Sequence, residues 1–238
     1  MKLPRTRRRL YLMRHGSVDY FLPDGTPVTP DSVPLNAEGE HQADAAGQLF
    51  AQCGVRFDRV LVSGLPRTVQ TAQRVLSASG QALTLDHEAA LQEIRGGRLA
   101  DIPPDQVEQA FLGAFQGRGG SETERQRFLG GESIGELLDR VLPAFEAWCA
   151  RDDWQCLLLV LHGGVNRALL STALAGQRAF FGRLEQQPAC INVLDIGLGD
   201  EAVVRAVNLA PTQWLHEQER YTTMEKVLAQ YLRLAPGG

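Results

Sequence analysis

The chain has 238 residues, enough to bury roughly 70–75% of its unfolded surface. Its 24 Lys and Arg against 28 Asp and Glu leave a net charge of −4, which argues against a generally basic nucleic-acid binder. With 22% charged and 44% apolar residues it is not a largely disordered chain.

The basic start, Arg5 to Arg9, is followed by only four apolar residues, Leu10 to Met13. A secretory signal needs about 7–15 in a row, so the tip reads as a solvated tail. Leu10 to Met13 ends at Arg14-His15-Gly16 and suits a buried strand feeding a loop. Residues 17–35 hold Pro23, Gly25, Pro27, Pro30 and Pro34 and read as a long loop of the kind that often carries function. Asn36 is placed to cap a helix to about Cys53, with Ala46, Leu49, Phe50 and Cys53 at helical spacing and Gly54 as its stop. Val60 to Val62 is the next strand. Pro66 suits the first turn of a second helix, whose stripe is Val69, Ala72, Val75 and Leu76. A short strand is predicted at Leu83 to Leu85.

Residues 96–131, with Pro103-Pro104 and Gly117-Arg118-Gly119-Gly120, read as a cap inserted over one end of a single domain spanning 1–238. Ser133-Ile134-Gly135-Glu136 is a capping box, and Leu137, Leu138, Val141, Leu142, Phe145, Trp148 and Cys149 mark one face of the helix behind it. Leu157 to Leu161 is an all-apolar central strand ending at His162-Gly163-Gly164. A helix follows from about Val165 to Ala175, then strands at 191–196 and 202–207 and a helix at 223–234. The alternation predicts a three-layer α/β/α sandwich with a mostly parallel central sheet and a small cap insertion.

Cys53, Cys149, Cys156 and Cys190 form no C-x-x-C pair. They read as free thiols in a reducing compartment, three of them buried beside apolar neighbours. No run approaches the roughly 20 apolar residues that span a bilayer. A cytoplasmic protein with no membrane or nucleic-acid partner is expected. The oligomeric state, a homodimer included, stays open.

His15 and His162 each stand at the end of an apolar strand, before glycine. Ligands of open α/β sheets bind beyond the carboxyl ends of strands, so neighbouring strands would bring both imidazoles to one pocket. Arg14 adjoins His15, and Arg67 opens the helix after the second strand. Guanidinium groups grip phosphate in a two-pronged way and stay charged at working pH. Together the four side chains describe an anion pocket. His41, His87 and His216 suggest only surface or helix residues.

The motifs resemble those of the histidine phosphatase superfamily, which includes the phosphoglycerate mutases. Leu12-Met13-Arg14-His15-Gly16 resembles its R-H-G signature, Leu35-Asn36-Ala37-Glu38-Gly39 its L-T-x-x-G helix start, and Ser63 through Ala72 its S-x-L-x-R-x-x-Q-T-A stretch. Leu91-Gln92-Glu93-Ile94 resembles the segment holding the acid, Gly130-Gly131-Glu132-Ser133 the G-G-E-S element, and His162-Gly163-Gly164-Val165 the second histidine motif. The resemblance implies that His15 is the nucleophile and takes the phosphoryl group on a ring nitrogen. It implies that Arg14, Arg67, His162 and the Gly163 amide hold the phosphate. It implies that Glu93 protonates the leaving oxygen and then activates water. No metal and no cofactor are implied. Ser17 stands where many relatives have Glu or Gln and is a substrate-binding candidate. Phe21 stands where many have Asn, and Asn166 replaces a commonly aliphatic residue.

The expected activity is metal-independent hydrolysis of a small phosphorylated metabolite through phosphohistidine. Three alternatives stay open. His15, His162 and Glu93 are residue types that bind zinc. A phosphoglycerate mutase would use further basic residues, for which Arg95, Arg98, Arg118, Arg125 and Arg127 are available. A non-catalytic phospholigand-binding module would keep the arginines alone.

Overall fold

A computed structural model describes residues 7–234, apart from residues 23, 200 and 218. Strands β1 (Arg8–Arg14), β2 (Arg59–Val62), β3 (Leu85–His87), β4 (Cys156–Leu161), β5 (Ile191–Ile196) and β6 (Ala202–Leu209) form one sheet in the order β3-β2-β4-β1-β5-β6. The pairs β2–β3, β2–β4 and β1–β4 are parallel, whereas β5 runs antiparallel to both β1 and β6. The sheet is therefore mostly parallel.

Central β4 shows why the molecule has three layers. Side chains alternate across a strand, and Leu157, Leu159 and Leu161 enter one apolar cluster while Leu158 and Val160 enter the other. The first is covered by α5 (Ile134–Cys149) and α6 (Gly163–Ala175), through residues such as Leu138, Val141, Leu169 and Leu170. The second is covered by α1 (Ala37–Gln52) and α2 (Pro66–Ala78), through Ala46, Phe50, Ala72 and Val75. Each fully buried leucine contributes about 1.5–3 kcal/mol over an exposed one.

The helix starts follow their capping residues. The Asn36 side chain accepts from the Gly39 amide at 2.9 Å, and Ser133 and Glu136 form a reciprocal box. Gly16 and Gly39 lock α1 against the end of β1. A Cβ on Gly16 would meet the Gly39 carbonyl oxygen at 2.4 Å, and one on Gly39 would meet the Ser17 carbonyl oxygen at 2.1 Å.

Within residues 96–131 lie three 3₁₀ turns and two short helices, α3 (Val107–Leu112) and α4 (Ser121–Arg125). Val107 and Phe111 of α3 join Leu228 of α7 (Thr223–Leu234) in a satellite apolar cluster, so this segment shares a small core with the last helix.

Four local expectations need correction. The third strand begins two residues late, at Leu85, because the Gln81 side chain first engages Phe57 and Val55 (2.9 and 3.3 Å) and β2 then pairs from Leu85 to His87. Helix α6 begins at Gly163 with His162 as its cap, so both glycines lie in its first turn. Among the four cysteines, all free, Cys190 is buried, Cys149 and Cys156 are half-buried and Cys53 is exposed. The basic tip is no solvated tail from Arg7 onward. Arg7 pairs with Glu201, Arg9 with Asp195 at 2.6 Å, and Arg8 donates to the Cys149 and Arg151 carbonyls where α5 ends. A cation there satisfies carbonyls that the helix leaves free. Residues 1–6 lie outside the described residues.

Candidate active site

Sheet register brings the candidate residues together. Arg14 of β1 pairs with Leu161 of β4, and Val62 of β2 with Val160. His15, His162 and Ser63 are the residues next to these positions, at one edge of three adjacent parallel strands. The His15 amide continues the ladder to the Leu161 carbonyl at 3.0 Å. The His15 and His162 rings meet edge to face, with centroids 5.3 Å apart, and are 1% and 0% exposed.

The two nitrogens of His15 are distinguished by their partners. Nδ1 lies 2.7 Å from the Gly16 carbonyl oxygen, which can only accept, so Nδ1 carries the proton. Nε2 then keeps its lone pair and receives a bond from Arg67 Nε at 3.3 Å. Burial pushes the His15 pKa well below its ordinary value, and the charges of Arg67 and Arg14 push the same way. The ring is therefore neutral at pH 7, as a nucleophile must be.

His162 is held neutral too, first by burial, then by Arg67 and by neighbouring cationic groups. Its Nε2 lies 2.7 Å from Ser63 Oγ, which itself accepts from the Leu65 amide at 3.4 Å. Ser63 Oγ also lies 3.1 Å from Thr68 Oγ1, which spends its own proton on the Leu65 carbonyl, so the Ser63 contact accommodates either tautomer of the ring, whose second nitrogen is Nδ1. That atom is buried without a partner, and so is Arg14 Nε. Nη1 of the Arg14 guanidinium is engaged, donating to the Gln186 carbonyl at 2.6 Å and to the Thr223 hydroxyl at 2.8 Å. Arg67 Nη1 is fixed by the Pro30 carbonyl at 2.5 Å.

A buried donor without an acceptor costs about 1–3 kcal/mol. Arg14 Nε is such a donor, and with the unpartnered His162 Nδ1 and the Arg67 cation it describes a place for an anion. The Gly163 amide opens α6, where main-chain N–H groups have no partner inside the helix and favour negative charge. A Cβ on Gly163 would lie 3.6 Å from Arg14 Nε, which puts this helix start beside the orphan donor.

Glu93 reaches the same helix start. Both its carboxylate oxygens accept from the Gly164 amide at 3.1 Å, and Oε1 accepts from the Ile94 amide at 3.0 Å. Leu91 and Ile94 on either side are buried in the core. A Cβ on Gly164 would stand 2.5 Å from Glu93 Oε1, so the carboxylate fits only because residue 164 is glycine. Ser17 is half-buried, with its amide held by Gln42 Oε1 at 2.9 Å. Phe21 is buried, its ring 6.1 Å from that of Tyr231, so it packs toward α7. Among the described residues no group of three His, Cys, Asp or Glu is arranged to hold a metal ion. Among them, too, no helix is long and apolar enough to cross a membrane.

The comparisons with known proteins agree with this geometry. The profile of the histidine phosphatase superfamily (branch 1) matches residues 10–209. The chain belongs to that superfamily. A protein from Serratia proteamaculans named probable phosphoglycerate mutase GpmB is 33% identical over 172 residues, covering 70% of this chain and 74% of the relative. The crystal structure of an α-ribazole phosphatase from Shigella flexneri superposes with a TM-score of 0.65 at 26% identity, over 84% of this chain and 96% of the other. A mycobacterial glucosyl-3-phosphoglycerate phosphatase shares the fold, with a TM-score of 0.63 at 23% identity over 84% and 98% of the two chains.

This histidine phosphatase superfamily member holds its site with residues to which motif reading gave no role. Ser63 orients His162. Thr223, at the start of α7, bridges Arg14 to Glu185, which accepts from the Thr223 hydroxyl at 3.0 Å and from Arg167 Nη2 at 2.7 Å. Asn166, a departure from the superfamily pattern, is buried and donates to Gln186 Oε1 at 3.2 Å behind Arg14. Arg140 donates to the carbonyls of Ala90, Gln92 and Glu93. Its signal in the sequence is an arginine set among Leu137, Leu138, Val141 and Leu142.

Proposed function

We propose that the protein is a metal-independent phosphomonoester hydrolase that works through a phosphohistidine. The observation that carries this reading is the buried orphan donor Arg14 Nε, with the unpartnered His162 Nδ1, beside a neutral His15 whose Nε2 lone pair is free of a proton. A phosphoryl group seated there satisfies Arg14 Nε, meets Arg67 and accepts from the His162 ring in the tautomer with Nδ1 protonated. Transfer needs positioning and fixed positive charge more than covalent help.

His15 Nε2 attacks phosphorus as the phosphorus–oxygen ester bond breaks. The ester oxygen leaves with a proton from the Glu93 carboxyl group. Glu93, now carboxylate, takes a proton from a water whose oxygen attacks the phosphohistidine. Phosphate departs, His15 recovers its lone pair, and Glu93 is protonated again. Ser17 and the cap contact the rest of a small phosphorylated substrate. The free thiols suit a reducing, cytoplasmic setting.

Mixing with labelled substrate and quenching at millisecond times should trap acid-labile phosphate on His15. His15→Ala should trap none, and a phosphoenzyme surviving in that variant would refute the assignment. Turnover should persist in excess chelator, whereas inactivation that zinc restores would favour a metal site.

The name of the Serratia relative supports a second reading, transfer of the phosphoryl group back to a phosphoglycerate. Of the arginines that it would recruit, Arg127 pairs with Glu136 at 3.1 Å, and Arg98 is exposed, 3.8 Å from Asp101. Chasing the labelled phosphoenzyme separates the readings. Label should appear in inorganic phosphate, and label passing instead to added phosphoglycerate would establish the mutase.

A further inference from the structure

Glu93 lies on neither a helix nor a strand of the sheet. It follows the 3₁₀ turn Ala89–Leu91, and such a short element does not by itself fix a carboxyl group to within the tolerance of proton transfer. The guanidinium of Arg140, on α5, supplies the missing constraint. Its Nη1 donates to the Ala90 and Gln92 carbonyls at 2.8 and 2.7 Å, and its Nη2 to the Glu93 carbonyl at 2.9 Å.

The other edge of the guanidinium is taken by Glu132 in a two-pronged pair, Nε to Oε1 at 2.7 Å and Nη2 to Oε2 at 2.9 Å. Glu132 then closes on the same segment from its far end. Its Oε2 accepts from the Arg95 amide at 2.9 Å, and its own amide donates to the Arg95 carbonyl at 2.8 Å. Both side chains are largely buried, at 16% and 9% exposed. The two residues thus clasp the main chain from 90 to 95 at both ends of Glu93. Only a planar fork can serve three carbonyls and a carboxylate at once, which lysine cannot.

We propose that the Arg140–Glu132 pair is a positioning device that sets the Glu93 carboxyl group in line with the leaving oxygen. The proposal rests on Glu93 being the proton donor of the reaction above. The Glu132 of the Gly-Gly-Glu-Ser element acquires a role by this reading, acting on chemistry through the backbone of Glu93 and touching no substrate.

The test compares two phosphate monoesters on the full chain. An aryl ester with an acidic phenol leaves without help, and an alkyl ester needs a proton. Glu93→Gln should lose about 10²-fold or more in kcat/KM, which reports transfer to His15 and not the later hydrolysis, on the alkyl ester and far less on the aryl ester. Arg140→Met and Glu132→Gln should show the same selectivity, with losses on the order of 10²-fold or below and unchanged inhibition by inorganic phosphate. Glu132→Gln keeps the shape of the side chain and carries the test if Arg140→Met does not fold. Arg140→Lys should stay impaired despite its charge. In a Glu93→Gln background neither change should reduce kcat/KM on the alkyl ester further.

Equal losses on the two esters, or a full further loss in the Glu93→Gln background, would make the pair a general stabiliser and overturn the proposal. Failure of the underlying reading looks different. Glu93→Gln would then turn over both esters like the wild type, and the positioning role would fall with it.

Discussion

His15 and Glu93 occupy contrasting surroundings. His15 is kept neutral first by burial and then by the cations around it, whereas Glu93 is half-buried and holds backbone amides. Replacing Glu93 by Gln keeps an acceptor for Gly164 and removes the titrating proton. Turnover should fall by roughly 10²–10⁴-fold while competitive inhibition by inorganic phosphate stays near wild type. A parallel loss of phosphate affinity would place Glu93 among the phosphate ligands instead. At this scale the sequence is informative where a side chain adjoins a strand end, as with Arg14, His15 and His162. Arg140 and Thr223 escape such reading because their partners are remote. Arg140 meets Glu93 across 47 positions, and Thr223 meets Arg14 across 209.

The first turn of α6 joins the phosphate side of the pocket to the acid side. Gly164→Ala inserts a methyl group 2.5 Å from where Glu93 Oε1 now lies, against an exchange that would otherwise favour the helix by up to about 1 kcal/mol. The carboxylate must shift, so kcat should drop about 10²-fold, with little change in thermal midpoint. Steady-state kinetics beside a melting curve checks both halves. An alanine variant with wild-type kcat would show that Glu93 has room to move. The pattern of apolar residues locates α1, α2, α5 and α7 closely, because each buries one stripe and begins at a capping residue or a proline. It misplaces the start of α6, because a Gly-Gly pair looks like a loop until the neighbours that require it are known. It shifts β3 because a three-residue edge strand takes its register from β2 and not from its own side chains.

Across the whole molecule, two buried imidazoles couple stability to acidity. Both titrate lower in the fold than in the unfolded chain, where the value is near 6.5. The unfolded state therefore binds more protons below that pH. Stability should be fully present above about pH 6.5 and decline as pH falls, with a limiting slope of about 1.4 kcal/mol per unit for each histidine. Urea denaturation at pH 7 and at more acidic values measures this, and His15→Asn should flatten the profile. A wild-type profile flat to pH 5 would contradict the burial argument. The three-layer sandwich is legible from alternating strands and helices. The satellite cluster is not, since it joins α3 to α7 across most of the second half of the chain. Leu228→Ala should cost about 2 kcal/mol there and speed hydrogen exchange in both helices, leaving β4 protected.

The Thr223 contact has a bearing on handling as well. The last helix begins on the hydroxyl that steadies Arg14, so anything that tugs at α7 is transmitted to the Arg14 side of the pocket wall. A reporter protein fused behind that helix should betray itself as weaker retention of phosphate before the melting temperature moves at all.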